Sequence, residues 1–280
     1  MTEPRTALVL GGGGITGIAW EIGLLAGLAD DGVDLTTADT VVGTSAGSVV
    51  GALITSGEDL EELYAGQLVD PTGEDPAKLG LSGALRYGLY MLAPGSSTGK
   101  RARLGQAAAR ARTGDPAERV AVLRERLGPR EWPADRRLLV TAVDADSGAL
   151  TVFDKDAGVD LVTAVASSCA VPLVWPPVSV DGHRYIDGGM RSPANADLAA
   201  GADRVVVLAP LTASFSRAGR VRNQLARLGP DVRSVVISPD LQAKQAIGKN
   251  VLDPAQRAAA ARAGREQAGL VLEQIQGVWP

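Results

Sequence analysis

The chain has 280 residues, which is long for an average domain but within the range of single large α/β domains. Its 45% hydrophobic and 21% charged residues exclude general disorder, and a net charge of −4 argues against a basic nucleic-acid-binding surface. One cysteine, Cys169, and one histidine, His183, allow neither an internal disulfide nor a cysteine- and histidine-rich zinc site. Any chemistry that the chain performs therefore uses at most one imidazole.

The start of the sequence gives no sign of a targeting segment. The residues before the first glycine run contain too few apolar side chains for a signal-peptide core. No uninterrupted apolar stretch reaches the length that a membrane-spanning helix needs. We therefore expect a cytoplasmic protein.

Strand and helix signals alternate along the chain. Short apolar runs bounded by turn residues predict strands at residues 6–10, 39–42, 137–143, 149–153, 178–180, 183–186, 204–209 and 232–237. Apolar residues at helical spacing predict helices at residues 18–28, 49–55, 159–168, 220–228 and 254–278. Strands interleaved with helices predict a three-layer α/β/α fold with a mainly parallel central sheet.

Residues 58–133 form a different kind of segment. They carry no convincing strand signal, and prolines interrupt a mostly helical pattern. We predict a helical insertion on the α/β core. Its apolar part, residues 79–92, is interpreted as a packed helix, with the wall of an acyl-chain groove or a mobile lid as the alternative.

The sharpest motif is Gly43-Thr44-Ser45-Ala46-Gly47, a G-x-S-x-G between a predicted strand and a predicted helix. This is the context of a nucleophile elbow, a turn so tight that small residues must flank the serine. The turn lifts Ser45 clear of the sheet at a helix N-terminus, where the Ala46 N–H can donate to a developing oxyanion. The alternative is a strand-to-helix turn in which Ser45 only caps the helix.

A second glycine-rich segment, Gly12-Gly13-Gly14-Ile15-Thr16-Gly17, follows a strand and fits G-x-G-x-x-G. One interpretation is a dinucleotide-binding loop, which needs a carboxylate at the end of the second strand. That strand runs instead into Gly43-Thr44-Ser45. The other interpretation, which we favour, is that the glycines expose N–H donors to an anion such as the oxyanion of an ester intermediate.

A serine nucleophile needs a base. His183 and Asp187 lie on one predicted strand, roughly 13 Å apart, too far to pair directly. We interpret His183 as a surface residue beside the Asp181-Gly182 turn. Asp187 is the better base, because it ends a strand of an open α/β sheet and Gly188-Gly189 allow close backbone approach. The alternative for Asp187 is a plain Asp-Gly turn.

Together these residues resemble the patatin-like phospholipase family. The likeness spans about residues 6–210 and is loose over residues 58–133. The matching segments are Gly12 to Gly17, Gly43 to Gly47, residues 166–172 with Trp175-Pro176-Pro177, and Asp187-Gly188-Gly189. One departure is Thr16, where the family commonly has arginine or lysine, and this favours a simpler ester over a phospholipid.

The resemblance implies a patatin-like fold over residues 1–280 and a serine acyl hydrolase with a Ser–Asp dyad. Ser45 would attack the acyl carbonyl of a lipid or small ester, and Asp187 would accept its proton. The implied oxyanion donors are the backbone N–H groups of Gly12, Gly13, Gly14 and Ala46. The other motif glycines are Gly17, Gly43, Gly47, Gly188 and Gly189. Neither a cofactor nor a metal is expected, no nucleic acid is expected as a partner, and transient contact with a membrane surface is left open.

Three alternatives stay open at this point. The first is a dinucleotide-binding oxidoreductase that uses the loop from Gly12 to Gly17. The second is a non-catalytic member of the same fold with a regulatory or scaffold role. The third is an acyltransferase, which would share the acyl-enzyme and differ in the acceptor.

Overall fold

The computed structural model describes residues 3–70, 88–90, 93–214 and 216–279. Within these residues, one sheet is formed by β1 (Thr6–Leu10), β2 (Thr40–Thr44), β3 (Arg137–Asp144), β4 (Leu150–Phe153), β5 (Val178–Val180), β6 (His183–Asp187), β7 (Arg204–Leu208) and β8 (Arg233–Ile237). The strand order is β5-β6-β3-β2-β1-β7-β8, and β4 pairs with β3. The pairs among β1, β2, β3, β7 and β8 are parallel, and the others are antiparallel. The predicted α/β fold with a mainly parallel sheet is confirmed.

Helices and short helical turns cover both faces of the sheet. The helices are α1 (Gly14–Asp30), α2 (Ala46–Ile54), α3 (Leu60–Leu68), α4 (Ser97–Arg110), α5 (Pro116–Leu127), α6 (Leu161–Ser168), α7 (Val221–Leu225), α8 (Leu241–Ile247) and α9 (Arg257–Gln276). In β1, Leu8 and Leu10 join a buried cluster with α1, α2 and α9, whereas Ala7 and Val9 join a second cluster that includes Val221 of α7. Alternate strand residues point to opposite faces, so this division builds three layers.

Several helix bounds differ from the sequence-based predictions. α2 begins at Ala46 and not at residue 49, because its first turn consists of small residues that give no apolar signal. α8 was not predicted, since seven residues are too few to establish a helical period. The segment at 58–133 contributes α3, α4 and α5. Its apolar stretch at 79–92 lies outside the described residues, except for 88–90.

Strand pairing along β3 brings two distant chain segments together. Thr44, at the end of β2, pairs with Thr141, and Asp187, at the end of β6, pairs with Ala142. β4 pairs with these two β3 residues as well, and a strand has only two edges, so β2 and β6 share the other edge. Because β2 runs parallel and β6 antiparallel to β3, their carboxyl ends meet beside residues 141–142.

The helices were also compared with the requirements of a membrane span. α9 has 20 residues, enough to approach the thickness of a bilayer, but it carries charged side chains such as Arg265 and Glu266. In the described part of the chain, no helix combines the length and the apolar character that crossing a membrane requires.

Candidate active site

Ser45 lies at the turn between β2 and α2 in a strained backbone conformation, with a φ of 52° and a ψ of −116°. A residue other than glycine holds such a conformation at a cost of about 1–3 kcal/mol, so the surrounding structure must enforce it. The flanking glycines allow the tight turn. A Cβ on Gly43 would lie 2.6 Å from Ser48 Cα, and a Cβ on Gly47 would overlap the Leu10 carbonyl. The motif therefore forms the strand–serine–helix turn that its sequence predicts.

The Ser45 hydroxyl donates a hydrogen bond to Asp187 Oδ2 at 2.6 Å, and both residues are buried. The other carboxylate oxygen, Asp187 Oδ1, accepts the Gly189 N–H at 2.7 Å. Burial raises the pKa of Asp187 to about 6, and the hydrogen bonds from Ser45 and Gly189 oppose that rise. The carboxylate is therefore ionised at neutral pH, yet it is a stronger base than an exposed aspartate.

Three side chains hold the backbone of Ser45. Ser168 Oγ accepts the Ser45 N–H at 2.9 Å. The Ser45 carbonyl accepts two hydrogen bonds, from Ser48 Oγ at 2.6 Å and from Cys169 Sγ at 3.4 Å. Burial and the nearby negative charge of Asp187 raise the pKa of Cys169 to about 12, so its thiol stays protonated. Cys169 is thus a neutral neighbour of Ser45 and not a second nucleophile.

The glycine loop that precedes α1 packs directly on the serine turn. A Cβ on Gly12 would lie 3.5 Å from Ser45 Cβ. The Gly47 N–H donates to the Gly11 carbonyl at 2.9 Å, which ties the first turn of α2 to the end of β1. The two glycine-containing motifs of the sequence therefore pack against each other beside Ser45.

The N–H groups available to a ligand differ from the predicted set at Gly12. The Gly12 N–H donates to the Pro193 carbonyl at 2.7 Å, so in this conformation it is not free to bind a ligand. Among the described residues, the N–H groups of Gly13, Gly14 and Ala46 have no hydrogen-bond partner. Gly14 and Ala46 begin α1 and α2, where the helix dipole favours a negative charge. These three N–H groups are the candidate oxyanion donors.

Glu21 of α1 is fully buried and contacts Gly11, the residue before the Gly12–Gly17 loop. Its Oε1 accepts the Gly11 N–H at 2.9 Å, whereas Oε2 has no hydrogen-bond partner among the described residues. Burial raises the pKa of Glu21 well above its usual range, and the hydrogen bond from Gly11 opposes the rise. Glu21 therefore ties α1 to the loop.

Asn195 connects the ends of the strands that carry the Ser45–Asp187 pair. Its Nδ2 donates to Thr44 Oγ1 at 3.0 Å and lies 3.3 Å from Thr141 Oγ1 and 3.4 Å from the Gly188 carbonyl. Arg191 donates to Asn195 Oδ1 at 2.7 Å. Asn195 is fully buried and left-handed, with a φ of 52°. It therefore fixes β2 and β3 relative to the residue that follows Asp187.

His183 lies at the other end of β6 from Asp187. Its side chain is 66% exposed, and its Nδ1 lies 3.3 Å from Asp144 Oδ2. It is a surface residue, as its place beside a turn predicts, and it does not contact Ser45. In the part of the chain that the structure describes, no three histidine, cysteine, aspartate or glutamate side chains are grouped to hold a metal ion.

Sequence analysis did not identify the residues that support the pair. Ser168, Glu21 and Asn195 were missed, and Pro193 was not recognised as the partner of Gly12. Glu21 gave a usable signal, because it is a carboxylate within the predicted apolar helix at 18–28. The others lie in segments whose polar residues look like ordinary loop or cap residues.

The fold and this site define a three-layer α/β protein with a serine–aspartate pair at the carboxyl end of its parallel strands. The chain belongs to the patatin-like phospholipase family, whose family model matches residues 8–200. Membership supports a lipid acyl hydrolase as the general class of activity. None of the curated proteins with which the sequence was compared matches it.

Solved structures of two bacterial proteins align with this chain. VipD from Legionella pneumophila aligns with a TM-score of 0.51 and 15% identity, over 98% of this chain and 67% of VipD. Full-length ExoU from Pseudomonas aeruginosa, in complex with SpcU, aligns with a TM-score of 0.41 and 18% identity, over 98% of this chain and 53% of ExoU. The chain thus spans between half and two thirds of the length of these proteins.

Proposed function

We propose that the protein is a serine acyl hydrolase that cleaves carboxylic ester bonds of lipids through Ser45 and Asp187. The observation that carries the proposal is the 2.6 Å hydrogen bond from the Ser45 hydroxyl to Asp187 Oδ2 at a strained strand-to-helix turn. A hydroxyl held on a carboxylate whose pKa is raised to about 6 is positioned to lose its proton as it attacks. Family membership supports the lipid substrate class.

The proposed reaction has two halves. Ser45 Oγ attacks the ester carbonyl while its proton moves to Asp187, and the tetrahedral oxyanion accepts hydrogen bonds from the free N–H groups of Gly13, Gly14 and Ala46. The intermediate collapses as Asp187 returns the proton to the leaving alcohol, which leaves an acyl-enzyme on Ser45. Water then attacks the acyl carbon, gives a proton to Asp187 and releases the carboxylic acid, while Ser45 Oγ regains the proton.

The dinucleotide-binding alternative has less support. The Gly12 N–H donates to Pro193 and is not free for a pyrophosphate. The end of β2 carries Thr44 followed by Ser45, with no carboxylate to hold a ribose hydroxyl. We therefore keep the hydrolase as the single proposal, with esterase, lipase and phospholipase A-type activities as its possible forms.

A fluorophosphonate probe tests the proposal directly. We expect the probe to label Ser45 in the native protein and to fail with Ser45→Ala, read by intact-mass spectrometry and peptide mapping. A panel of esters that varies acyl length and head group, run with both proteins, then defines the form of the activity. Labelling that persists in Ser45→Ala, or ester turnover equal in the two proteins, would contradict the proposal.

A further inference from the structure

Arg119 of α5 stacks on the indole ring of Trp175, with its guanidinium carbon 3.9 Å from the ring centroid. Both residues are half-buried. Trp175 belongs to the segment between α6 and β5, which is separate in sequence from both glycine motifs. A guanidinium over an aromatic face is held by cation–π attraction, and it keeps its planar set of N–H donors.

The positive charge of Arg119 is not compensated by a carboxylate among the described residues. Its Nε is buried and has no hydrogen-bond partner there. The charged or titratable groups that act on it are the Cys169 thiol and a second cation, Arg126. By contrast, Arg124 on the same helix lies 3.2 Å from Asp160. A half-buried arginine without a carboxylate partner is suited to bind an anionic group.

The Arg119–Trp175 pair lies close to the Ser45–Asp187 pair. The Asp187 N–H donates to the Ala170 carbonyl at 3.0 Å, and the Trp175 N–H closes one helical turn on the Val171 carbonyl at 2.9 Å. With about 3.8 Å between neighbouring Cα atoms and about 5.4 Å per helical turn, Trp175 lies on the order of 10 Å from Asp187. The Cys169 thiol contacts the Ser45 carbonyl, and the positive charge of Arg119 opposes the rise in the pKa of this thiol that burial causes.

Arg191 also lies near the Ser45–Asp187 pair, but a carboxylate already neutralises its charge. Arg191, four residues beyond Asp187, donates to both carboxylate oxygens of Asp197, at 2.5 and 2.9 Å. The side chains that contact Ser45 and Asp187 directly are hydroxyls and a thiol, without positive charge. Arg119, in contrast, has no carboxylate partner among the described residues and can meet a negative group on a substrate bound at Ser45.

We propose that Arg119, oriented by Trp175, binds the phosphate group of an ester substrate whose acyl bond lies at Ser45. This inference rests on the proposed acyl-hydrolase function and deepens it. A guanidinium presents two parallel N–H donors that match two phosphate oxygens, and such charge-assisted pairs are stronger than neutral hydrogen bonds. Trp175 lies on the order of 10 Å from Asp187, and a glycerol backbone that carries an acyl group and a phosphate, together with the length of the Arg119 side chain, spans a distance of that order.

The test compares 1-hexanoylglycerol with its 3-phosphate, two esters that differ only in the phosphate. We expect the wild-type kcat/KM to be at least about tenfold higher for the phosphate, as for one charge-assisted hydrogen bond gained. Arg119→Met should bring the two substrates to equal kcat/KM. Arg112→Met is the matched control, because it removes the same charge from an exposed position, and it should keep the wild-type ratio.

Wild-type protein that turns over both esters equally overturns the inference without the use of any variant. An Arg119→Met protein that is folded by circular dichroism and keeps the tenfold ratio overturns it as well. Failure of the proposed function would look different, because Ser45→Ala would then hydrolyse both esters as well as the wild type does.

Discussion

Thr44 and Asp187 end two strands that approach each other along one edge of β3, where they pair with consecutive residues. Ser45 follows Thr44 directly, and its hydroxyl reaches Asp187 Oδ2 at 2.6 Å, although 142 positions separate the two residues in sequence. The geometry of the pair is therefore set by the strand register along β3 and not by the conformation of a long loop. A pair fixed in this way should respond to substitution of its side chains without loss of the fold.

Asp187→Asn should strongly reduce ester turnover while the protein stays folded. Asparagine has the size of aspartate and can still accept the Gly189 N–H, but it cannot take the proton of Ser45. Loss of a general base costs about 100-fold to 10,000-fold in rate. Steady-state hydrolysis of a soluble ester measures the loss, and the thermal midpoint of unfolding shows whether the protein is intact.

His183→Ala is the control for that substitution. Its side chain is 66% exposed and paired with Asp144, so we expect most of the activity to persist. An equal loss of ester turnover in His183→Ala and Asp187→Asn would show that Ser45 and Asp187 do not form the catalytic pair without a histidine.

The pH dependence of kcat/KM should follow the ionisation of Asp187. Burial raises the pKa of this carboxyl to about 6, and only its ionised form can accept a proton from Ser45. Activity should therefore fall as the pH decreases through about 6 and reach a plateau above it.

Ser45→Ala should move the pKa of Asp187 upward, because the hydrogen bond from Ser45 lowers it. Carbon NMR of labelled aspartate carboxyls can follow this titration in the inactive variant. An unchanged or lower pKa of Asp187 in Ser45→Ala would contradict the assigned hydrogen bond.

Local patterns in the sequence predicted the strands, the serine turn and both members of the pair. They did so because short apolar runs bounded by turn residues and flanking glycines depend on neighbours in the chain. They failed for Asn195, whose partner Thr44 is 151 positions away, and for the Gly12 N–H, which Pro193 occupies from a distant segment. Long-range polar contacts leave no periodic pattern in the sequence. Only the fold therefore reveals which N–H groups are free and which side chains support the site.

Ser45→Gly should be more stable than Ser45→Ala. Both variants lose the hydroxyl, but only glycine adopts a φ of 52° with a ψ of −116° without strain. Relief of the strain, partly offset by the greater freedom of glycine in the unfolded chain, gives an expected difference of about 1 kcal/mol in the free energy of unfolding. Urea denaturation of the two variants measures it. If the alanine variant proves the more stable, Ser45 is not strained.

Asn195→Ala should lower the free energy of unfolding by about 2–4 kcal/mol, because buried partners lose their hydrogen bonds and alanine is strained at this φ. Thr44 Oγ1 loses the hydrogen bond from Asn195 Nδ2, and Arg191 loses one of its acceptors. Asn195→Gly is the matched variant, since glycine takes the left-handed conformation freely. The difference in the free energy of unfolding between the two variants, measured by chemical denaturation, isolates the cost of backbone strain in the alanine variant. A loss below about 0.5 kcal/mol in Asn195→Ala, the size usual for a surface substitution, would be at odds with a buried network.

Glu21 offers a test of the raised pKa of a buried carboxyl group beside the glycine loop. Its pKa is raised by burial, so the folded state binds a proton that the unfolded state releases once the pH passes the usual glutamate range. Wild-type stability should therefore fall as the pH rises from that range toward the raised pKa of Glu21, by up to about 1.4 kcal/mol per pH unit. Glu21→Gln is neutral in both states and removes this slope, while its amide oxygen still accepts the Gly11 N–H. Urea denaturation of both proteins across this pH range should give curves that diverge in favour of Glu21→Gln. Parallel curves would mean that Glu21 does not bury a proton.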